Sequence, residues 1–462
     1  MKKKVLLLNL PWKEKYLREY FCSKISKARY YYPPVDLVYI SGRFDEAKYN
    51  LFLIDSIAEN ISPATTIEKI NNIAPDYIYF LAGAASFRED KWFIQQLLLD
   101  LTCSPKIIGT GDIFRELKEE SFNVFKWIDA INFHFTTADV ISYIEHWDWK
   151  IIDNMIYMHE DHLVVGKEQF DKWIRNVPIP KREMFDPKNY SNPFAMREYS
   201  SVMMTDLSCP FSCEFCPYST INYSVRQIDD VIEEIKILKT IWINDVFFVD
   251  ATFGLQKERL QKLCNWLRQC KMSRSCFWRV DNIDKEKIEM MKSAWCHTIV
   301  FGIESMNQDI LDKYNKKTKI SQIREAMDLC KKNKIRAGWT FIVWLPWDDE
   351  KSIRNTIFLS KTLHLDFASF NIATPRIWTH FRKDMIEKWF ANPDELNLES
   401  SKQKTQVWNS HNLPLADLVR LQKSAVRSFY LNPKYIIRRL LGLKSFYELK
   451  NSIFEMYYLF FK

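Results

Sequence analysis

Cys209-Pro210-Phe211-Ser212-Cys213-Glu214-Phe215-Cys216 places three thiols within eight residues, in a C-x3-C-x2-C pattern. Thiolates are soft ligands suited to zinc or iron–sulfur clusters. Structural zinc sites usually add a second CxxC pair or a fourth ligand. No second pair with zinc spacing follows here. Three ligands close together, with no local fourth, suit a [4Fe–4S] cluster that keeps one iron open for a small molecule. A structural zinc or a chance grouping of cysteines is the alternative. Pro210 and Pro217 favour a loop over a helix. Ser201-Val202-Met203-Met204-Thr205 just before reads as a buried strand, and α/β enzymes place chemistry on loops at C-terminal strand ends.

The next segments repeat the strand–helix alternation. Strands are expected at Asp245–Asp250, Cys276–Val280, His297–Gly302, Arg336–Val343 and Phe367–Ile372. Helical stretches fall between them, at Val225–Lys239, from about Gln256, at Asp284–Ser293, up to Lys332 and at Glu350–Leu363. With the strand before the cysteines this makes six βα steps, a partial (β/α)6 barrel with its site at the C-terminal strand ends.

The cysteine spacing, with an aromatic residue before the last Cys, resembles the signature of the radical S-adenosylmethionine (radical SAM) superfamily. The resemblance implies that Cys209, Cys213 and Cys216 bind three irons of a [4Fe–4S] cluster. The fourth iron would take the amino and carboxylate groups of S-adenosylmethionine, and one electron would cleave it to methionine and a 5′-deoxyadenosyl radical. Phe215 would lie against the adenine. Phe248-Val249-Asp250-Ala251-Thr252-Phe253, Arg279-Val280-Asp281 and Phe301-Gly302-Ile303-Glu304-Ser305 resemble further strand-end motifs of a subgroup. There Glu304 and Arg279 would hold the ribose and amino-acid parts of S-adenosylmethionine. Arg279 reads equally as a salt bridge within the barrel, and Asp250 as either a cofactor contact or a buried structural acid. Tyr218, Cys264 and Cys296 are candidates for an acid, base or radical relay.

Upstream, residues 3–10, Asn50–Asp55, Tyr77–Gly83 and Lys106–Gly111 read as strands. A helix opens near Pro33-Pro34, another runs Ser62–Ile73 with Ser62 as cap and Pro63 at its first position, and a third spans Asp90–Leu101. The alternation implies a doubly wound, Rossmann-like parallel sheet. Ahead of a radical SAM core, and with Tyr32-Pro33-Pro34 leading to Ser41-Gly42, it resembles the cobalamin-binding subgroup. That implies cobalamin as a cofactor, with Gly109 and Gly111 cradling its nucleotide tail or merely making a turn. The alternative is a sheet kept as a scaffold or substrate-binding domain. The lower-axial motif Asp-x-His-x-x-Gly is absent, and the first histidine is His134. The expected domains are 1–150 (cobalamin-binding-like), 151–195 (linker with a hairpin around Glu160-Asp161), 196–390 (radical SAM core) and 391–462 (helical tail). His159 and His162 flank the hairpin turn as surface residues rather than a metal pair.

The composition, 47% hydrophobic and 27% charged, is that of a soluble globular chain. Ten cysteines in 462 residues suit a reducing, anaerobic cytoplasm rather than a disulfide scaffold. Met1–Leu8 mimics a signal peptide, but Asn9, Pro11 and Lys13 cut the apolar run short. No run approaches the roughly 20 apolar residues of a membrane span. Of the net +8, residues 413–462 carry +6, with nine Lys/Arg against three Asp/Glu. The body is thus nearly neutral, which argues against nucleic-acid binding and for a local partner of the tail. Helices at Ala416–Leu431, Lys434–Leu443 and Ser445–Phe460 are expected. Arg427-Ser428-Phe429-Tyr430, followed by Pro433, resembles the tail of hopanoid-modifying and anaerobic porphyrin-cyclising members. Arg438, Arg439, Lys444 and Lys450 alternate with apolar residues, as in a helix lying on an anionic membrane or capping the barrel.

Glycine is scarce, nine in 462, about 2% against a usual ~7%. Tryptophan numbers 16. Trp295 stands before Cys296 where the subgroup has Gly, as do Trp344 and Trp347 around Leu345-Pro346, and Trp378 before Thr379. Either these loops have diverged, or the organism reads as glycine a stop codon rendered here as tryptophan.

The resemblance implies cobalamin-assisted radical methylation of an unactivated carbon. The alternatives are radical rearrangement, cyclisation or C–C bond formation on a lipid-like or natural-product substrate, or a non-catalytic metal-binding protein. The implied partners are a small-molecule or lipid-like substrate and a reductant such as flavodoxin or ferredoxin.

Overall fold

The computed structural model describes residues 1–26, 30–146, 151–169, 173–174, 177–192, 194–393, 395, 413–443 and 446–461. Lys444 lies outside them. The chain divides into two compact units, one essentially residues 1–190 and the other 191–462.

In the first unit, β1 (Lys3–Asn9) is apolar and buried because helices cover both faces of a parallel sheet. A short hairpin, β2 (Tyr16–Leu17) and β3 (Lys24–Ile25), follows. Then come α1 (Val35–Ser41), β4 (Tyr49–Asp55), α2 (Pro63–Ile73), β5 (Tyr77–Leu81), α3 (Phe87–Asp100), β6 (Lys106–Thr110), α4 (Asp112–Leu117), β7 (Ala130–Asn132) and α5 (Asp139–His146). Helix α2 starts as its sequence dictates: the Ser62 hydroxyl accepts from the Thr65 N–H at 3.1 Å, and Pro63 takes the first turn. The sheet order is β4-β1-β5-β6-β7, parallel throughout. That is the 2-1-3-4-5 doubly wound order, whose ligand crevice lies at the switch between β1 and β5. The hairpin β8 (Met155–His159) and β9 (His162–Val165) is not a free linker. It extends this sheet as an antiparallel edge on β7, so the sheet runs past residue 150.

In the second unit, six parallel strands follow one another in sequence order: β10 (Ser200–Met203), β11 (Asp245–Phe248), β12 (Ser273–Trp278), β13 (Cys296–Glu304), β14 (Arg336–Trp344) and β15 (Phe367–Ile372). The helices are α6 (Ile228–Thr240), α7 (Lys257–Gln269), α8 (Lys285–Ser293), α9 (Gln308–Lys313), α10 (Ile320–Lys332), α11 (Glu350–Thr362) and α12 (His380–Glu387). Their apolar stripes bury Val231, Ile235, Leu263, Ile288, Ile323 and Ile353 against the strands. Helices α13 (Leu415–Tyr430), α14 (Pro433–Leu441) and α15 (Phe446–Phe461) complete the unit. Leu418, Leu421, Ala425 and Phe429 of α13 join the barrel core.

Among the described residues nineteen non-glycine residues have positive φ, and six of them are tryptophan: Trp127, Trp242, Trp295, Trp347, Trp378 and Trp389. A bulky side chain in this region is disfavoured by roughly 1–2 kcal/mol. Trp344 is different from the sequence expectation of a turn residue. It ends β14, buried, outside the positive-φ set.

Candidate active site

The three cysteines follow β10 on a loop fixed at both ends by the protein. Asp250, just past β11, accepts from the Thr205 N–H (2.6 Å), the Thr205 hydroxyl (2.6 Å) and the Asp206 N–H (3.2 Å). Burial, with Asp206 adjacent, pushes its carboxyl up to about 7. Ser208 turns the chain at φ 68 while its hydroxyl donates to the carbonyls of Tyr218 and Ile221. Beyond it, the Glu214 N–H donates to Tyr314 O, the Phe381 N–H to Glu214 O, and the Asn315 amide to Ser212 O.

Cys213 is buried, while Cys209 and Cys216 are half-buried. Burial pushes the Cys209 thiol up, and burial beside Cys213 pushes Cys216 up to about 12. Among the described residues no three His, Cys, Asp or Glu side chains converge on a single ion. A cubane cluster needs no such convergence, since each thiolate binds its own iron. The donor set, three thiols on one loop without a fourth, fits a cluster with an open iron.

The ends of β12 and β13 carry charged side chains tied to this loop directly or through Lys316. Arg279, just past β12, donates to Cys213 Sγ at 3.4 Å, to both Asp281 oxygens at 3.0 and 2.8 Å, and to Lys316 O at 2.7 Å. Its guanidinium centre lies 3.7 Å from the Phe211 ring centroid. The salt bridge foreseen as the plain reading of Arg279 is therefore present, and it touches the cysteine loop. Glu304 ends β13 where the β13–β14 register shifts, and takes φ 68. A bulge of this kind re-aims a side chain. Glu304 Oε1 lies 3.5 Å from Lys316 Nζ, and burial raises its carboxyl above the usual range. A Cβ on Gly302 would sit 2.7 Å from that oxygen, so a side chain there would push the carboxylate aside. Phe215 is half-buried against Tyr314, with Lys316 Nζ 5.9 Å from its ring.

Lys316 and Asp281 were not singled out in the sequence. Asp281 was legible as the last residue of Arg279-Val280-Asp281, but Lys316 lies in a lysine-rich stretch with no distinguishing signal. Tyr218 follows the cysteine loop in a short 3-10 turn. Cys264 and Cys296 are not at this site. Cys296 begins β13, at the strand end opposite Glu304, and Cys264 on α7 lies 3.1 Å from the Arg274 guanidinium. A relay role for them is corrected by position.

In the first unit, the C-terminal edge of β1, β5 and β6 is occupied by the chain itself. Buried Arg18 bonds Asp90 (2.6 Å), Asn9 (3.0 Å) and Leu10 O (2.9 Å). The amides of Gly83, Ala84 and Ala85 donate to Asp90, Asp112 and the Ser23 hydroxyl. A Cβ on Gly109 would meet the Phe114 ring at 2.5 Å, and one on Gly111 the Ala82 carbonyl at 1.9 Å. Both glycines thus serve internal packing, and the arrangement does not fit a cradle for a nucleotide tail. His134 bonds Thr136 through Nδ1, and burial between Arg115 and Arg43 pushes it down to about 3.

A parallel six-stranded barrel with a three-thiol loop at its first strand end defines a class of metal-cofactor enzyme. Residues 207–359 match the Radical SAM superfamily, so the chain carries a radical SAM domain and is an enzyme. Its cofactors are accordingly a [4Fe–4S] cluster and S-adenosylmethionine. The chain is 27% identical over 429 residues to an uncharacterised methyltransferase of Pyrococcus horikoshii, covering 88% of this chain and 89% of that protein. It is 22% identical over 446 residues to the anaerobic magnesium-protoporphyrin IX monomethyl ester cyclase of Rubrivivax gelatinosus, covering 88% and 75%. Among solved structures, the cobalamin-dependent S-adenosylmethionine radical enzyme OxsB with aqua-cobalamin bound shares the fold. Its TM-score is 0.69 at 14% identity, covering 99% of this chain and 72% of that one.

Proposed function

We propose that this radical SAM enzyme methylates an unactivated carbon of a small organic substrate, with cobalamin as the methyl carrier. The observation that carries the radical step is Arg279 donating to Cys213 and to Lys316 O, with Lys316 in turn paired to Glu304 at the next strand end. The bound cluster would supply one electron to cleave S-adenosylmethionine to methionine and a 5′-deoxyadenosyl radical. Cys209, Cys213 and Cys216 would hold the cluster. Glu304 and Lys316 offer an acceptor and a cation for the polar ends of S-adenosylmethionine, and the half-buried Phe215 offers a face for its adenine. Asp250 acts one step back, fixing Thr205 and Asp206 at the base of the loop. Methyl transfer is supported by the Pyrococcus relative, and cobalamin by OxsB. Gly109 and Gly111 give cobalamin no support, so other residues must hold it if it binds.

A second reading, radical cyclisation without methyl transfer, is favoured by the Rubrivivax cyclase. The test is anaerobic reconstitution with iron and sulfide, then reductant, S-adenosylmethionine and hydroxocobalamin. Deoxyadenosine together with cobalamin retained through desalting is expected. Deoxyadenosine without retained cobalamin would shift the reading to the second, and no deoxyadenosine would overturn both.

The tail fits a lipid surface. No described helix is long and apolar enough to cross a membrane. Yet among the described residues ten of the 24 exposed large apolar side chains fall between Leu431 and Tyr457, including Leu441 (83% exposed) and Phe446 (81%). So high a local density marks an interaction surface. Lys434, Arg438, Arg439 and Lys450 are interleaved with them, which supports an anionic lipid surface as the partner. Co-sedimentation with phosphatidylglycerol vesicles but not phosphatidylcholine vesicles, lost in Leu441→Ser/Phe446→Ser, is expected. No sedimentation, or a dimer dissociated by the same variant, would overturn it.

A further inference from the structure

We propose that the natural protein carries glycine at positions 127, 242, 295, 347, 378 and 389, because its organism decodes as glycine a codon rendered here as tryptophan. Tryptophan is the commonest side chain in the positive-φ set, six of nineteen, although its indole has no local hydrogen bond to offset that conformation as Asn or Asp has. Each of the six occupies a site where backbone geometry calls for glycine.

Trp242 follows α6. The Ile243 N–H bonds Leu238 O and the Trp242 N–H bonds Lys239 O. That pair of bonds is a Schellman cap, with Trp242 at the left-handed position glycine usually fills. Trp389 follows α12 with the same pair, Phe390 N–H to Met385 O and Trp389 N–H to Ile386 O. Trp295 follows α8 at φ 65. The other three are third residues of four-residue turns. Asp348 N–H bonds Leu345 O across Pro346-Trp347, Thr379 N–H bonds Arg376 O across Ile377-Trp378, and Ile128 N–H bonds Phe125 O across Lys126-Trp127. Pro second and positive φ third, as at Pro346-Trp347 with φ 98, are the features of a type II turn, whose third residue is glycine or asparagine.

Burial offsets little of this conformation, although Lys313 Nζ lies 3.5 Å and Lys388 Nζ 5.1 Å from the Trp347 ring centroid. Trp127, Trp242, Trp295, Trp347 and Trp389 are exposed, Trp389 to 90% and Trp242 to 77%. A structural indole is normally buried or half-buried with its N–H bonded. Replacing six tryptophans would also raise the glycine total, which is far below the usual level. Helix ends and turns therefore account for all six positions, five of them exposed, and the composition points the same way. Trp344, buried in β14, is not in this set.

The proposal changes the surroundings of the site. The Trp347 indole walls a cleft of about 360 Å³ beside Glu214 of the cysteine loop, shared with Tyr314, His380 and Phe381. Glycine there would open it.

Two measurements test this. Peptides of the protein isolated from its own host, read by mass spectrometry beside the gene, should show glycine at the six positions and a codon other than TGG. Tryptophan in those peptides, or TGG in the gene, would overturn the proposal. In parallel, the chain as written and its W127G/W242G/W295G/W347G/W378G/W389G variant are compared in thermal unfolding. The variant should melt several degrees higher, and a lower midpoint would count against it.

Discussion

Lys316 Nζ lies 3.5 Å from Oε1 of Glu304, with the glutamate backbone left-handed and Gly302 bare beneath it. The pair joins the end of β13 to the segment that also accepts from Arg279 and pins the cysteine loop. Glu304→Gln keeps the shape and removes the charge. It should lower deoxyadenosine formation about 10- to 100-fold, as expected for losing ~1.5–3 kcal/mol from a hydrogen bond to a charged group. Iron content should stay unchanged. Loss of iron instead would make Glu304 a structural residue of the cluster loop.

Arg279 binds Asp281, Lys316 O and Cys213 with one rigid fork. Arg279→Met should cost about 3–5 kcal/mol in urea unfolding of the apoprotein, the usual penalty for breaking a buried pair. Arg279→Lys should recover little of it, since an ammonium cannot span three acceptors.

Each of Cys209→Ala, Cys213→Ala and Cys216→Ala should abolish the visible absorbance of the reconstituted cluster. Cys264→Ala and Cys296→Ala should retain it, because both side chains sit away from the strand ends that face the loop. Retained absorbance in any of the first three would remove that residue from the ligand set.

Asp250 has a native pKa raised to about 7 by burial and by Asp206, against about 4 when unfolded. Between these values the folded chain binds more protons than the unfolded one, so this group makes stability fall as pH rises through the window. Melting temperature recorded from pH 5 to 8 should decline, and Asp250→Asn should flatten the slope. An unchanged slope in the variant would assign the decline to other groups.

The alternation of apolar strands with amphipathic helices made both sheets legible, and caps such as Ser62 before Pro63 marked boundaries to the residue. What the sequence hid was placement across distance. The hairpin Met155–Val165 has an alternating pattern that suits a linker or a sheet edge equally, and only pairing with Ala130–Asn132 decides. Arg18 looks like any surface cation until it meets Asp90, 72 residues on, in a buried pair. Cys296 and Glu304 belong to one strand, yet nine residues of parallel strand carry them to opposite ends. Lys316 gave no sign because its role comes from the fold of the loop around it.

The cysteine loop is held by Tyr314, Asn315, Phe381 and Asp250, all of them protein groups. Anchors of this kind hold three thiols near one another before anything joins them. Less conformational entropy is then left to lose when a ligand bridges the three, so part of the cost of binding is met by the fold itself.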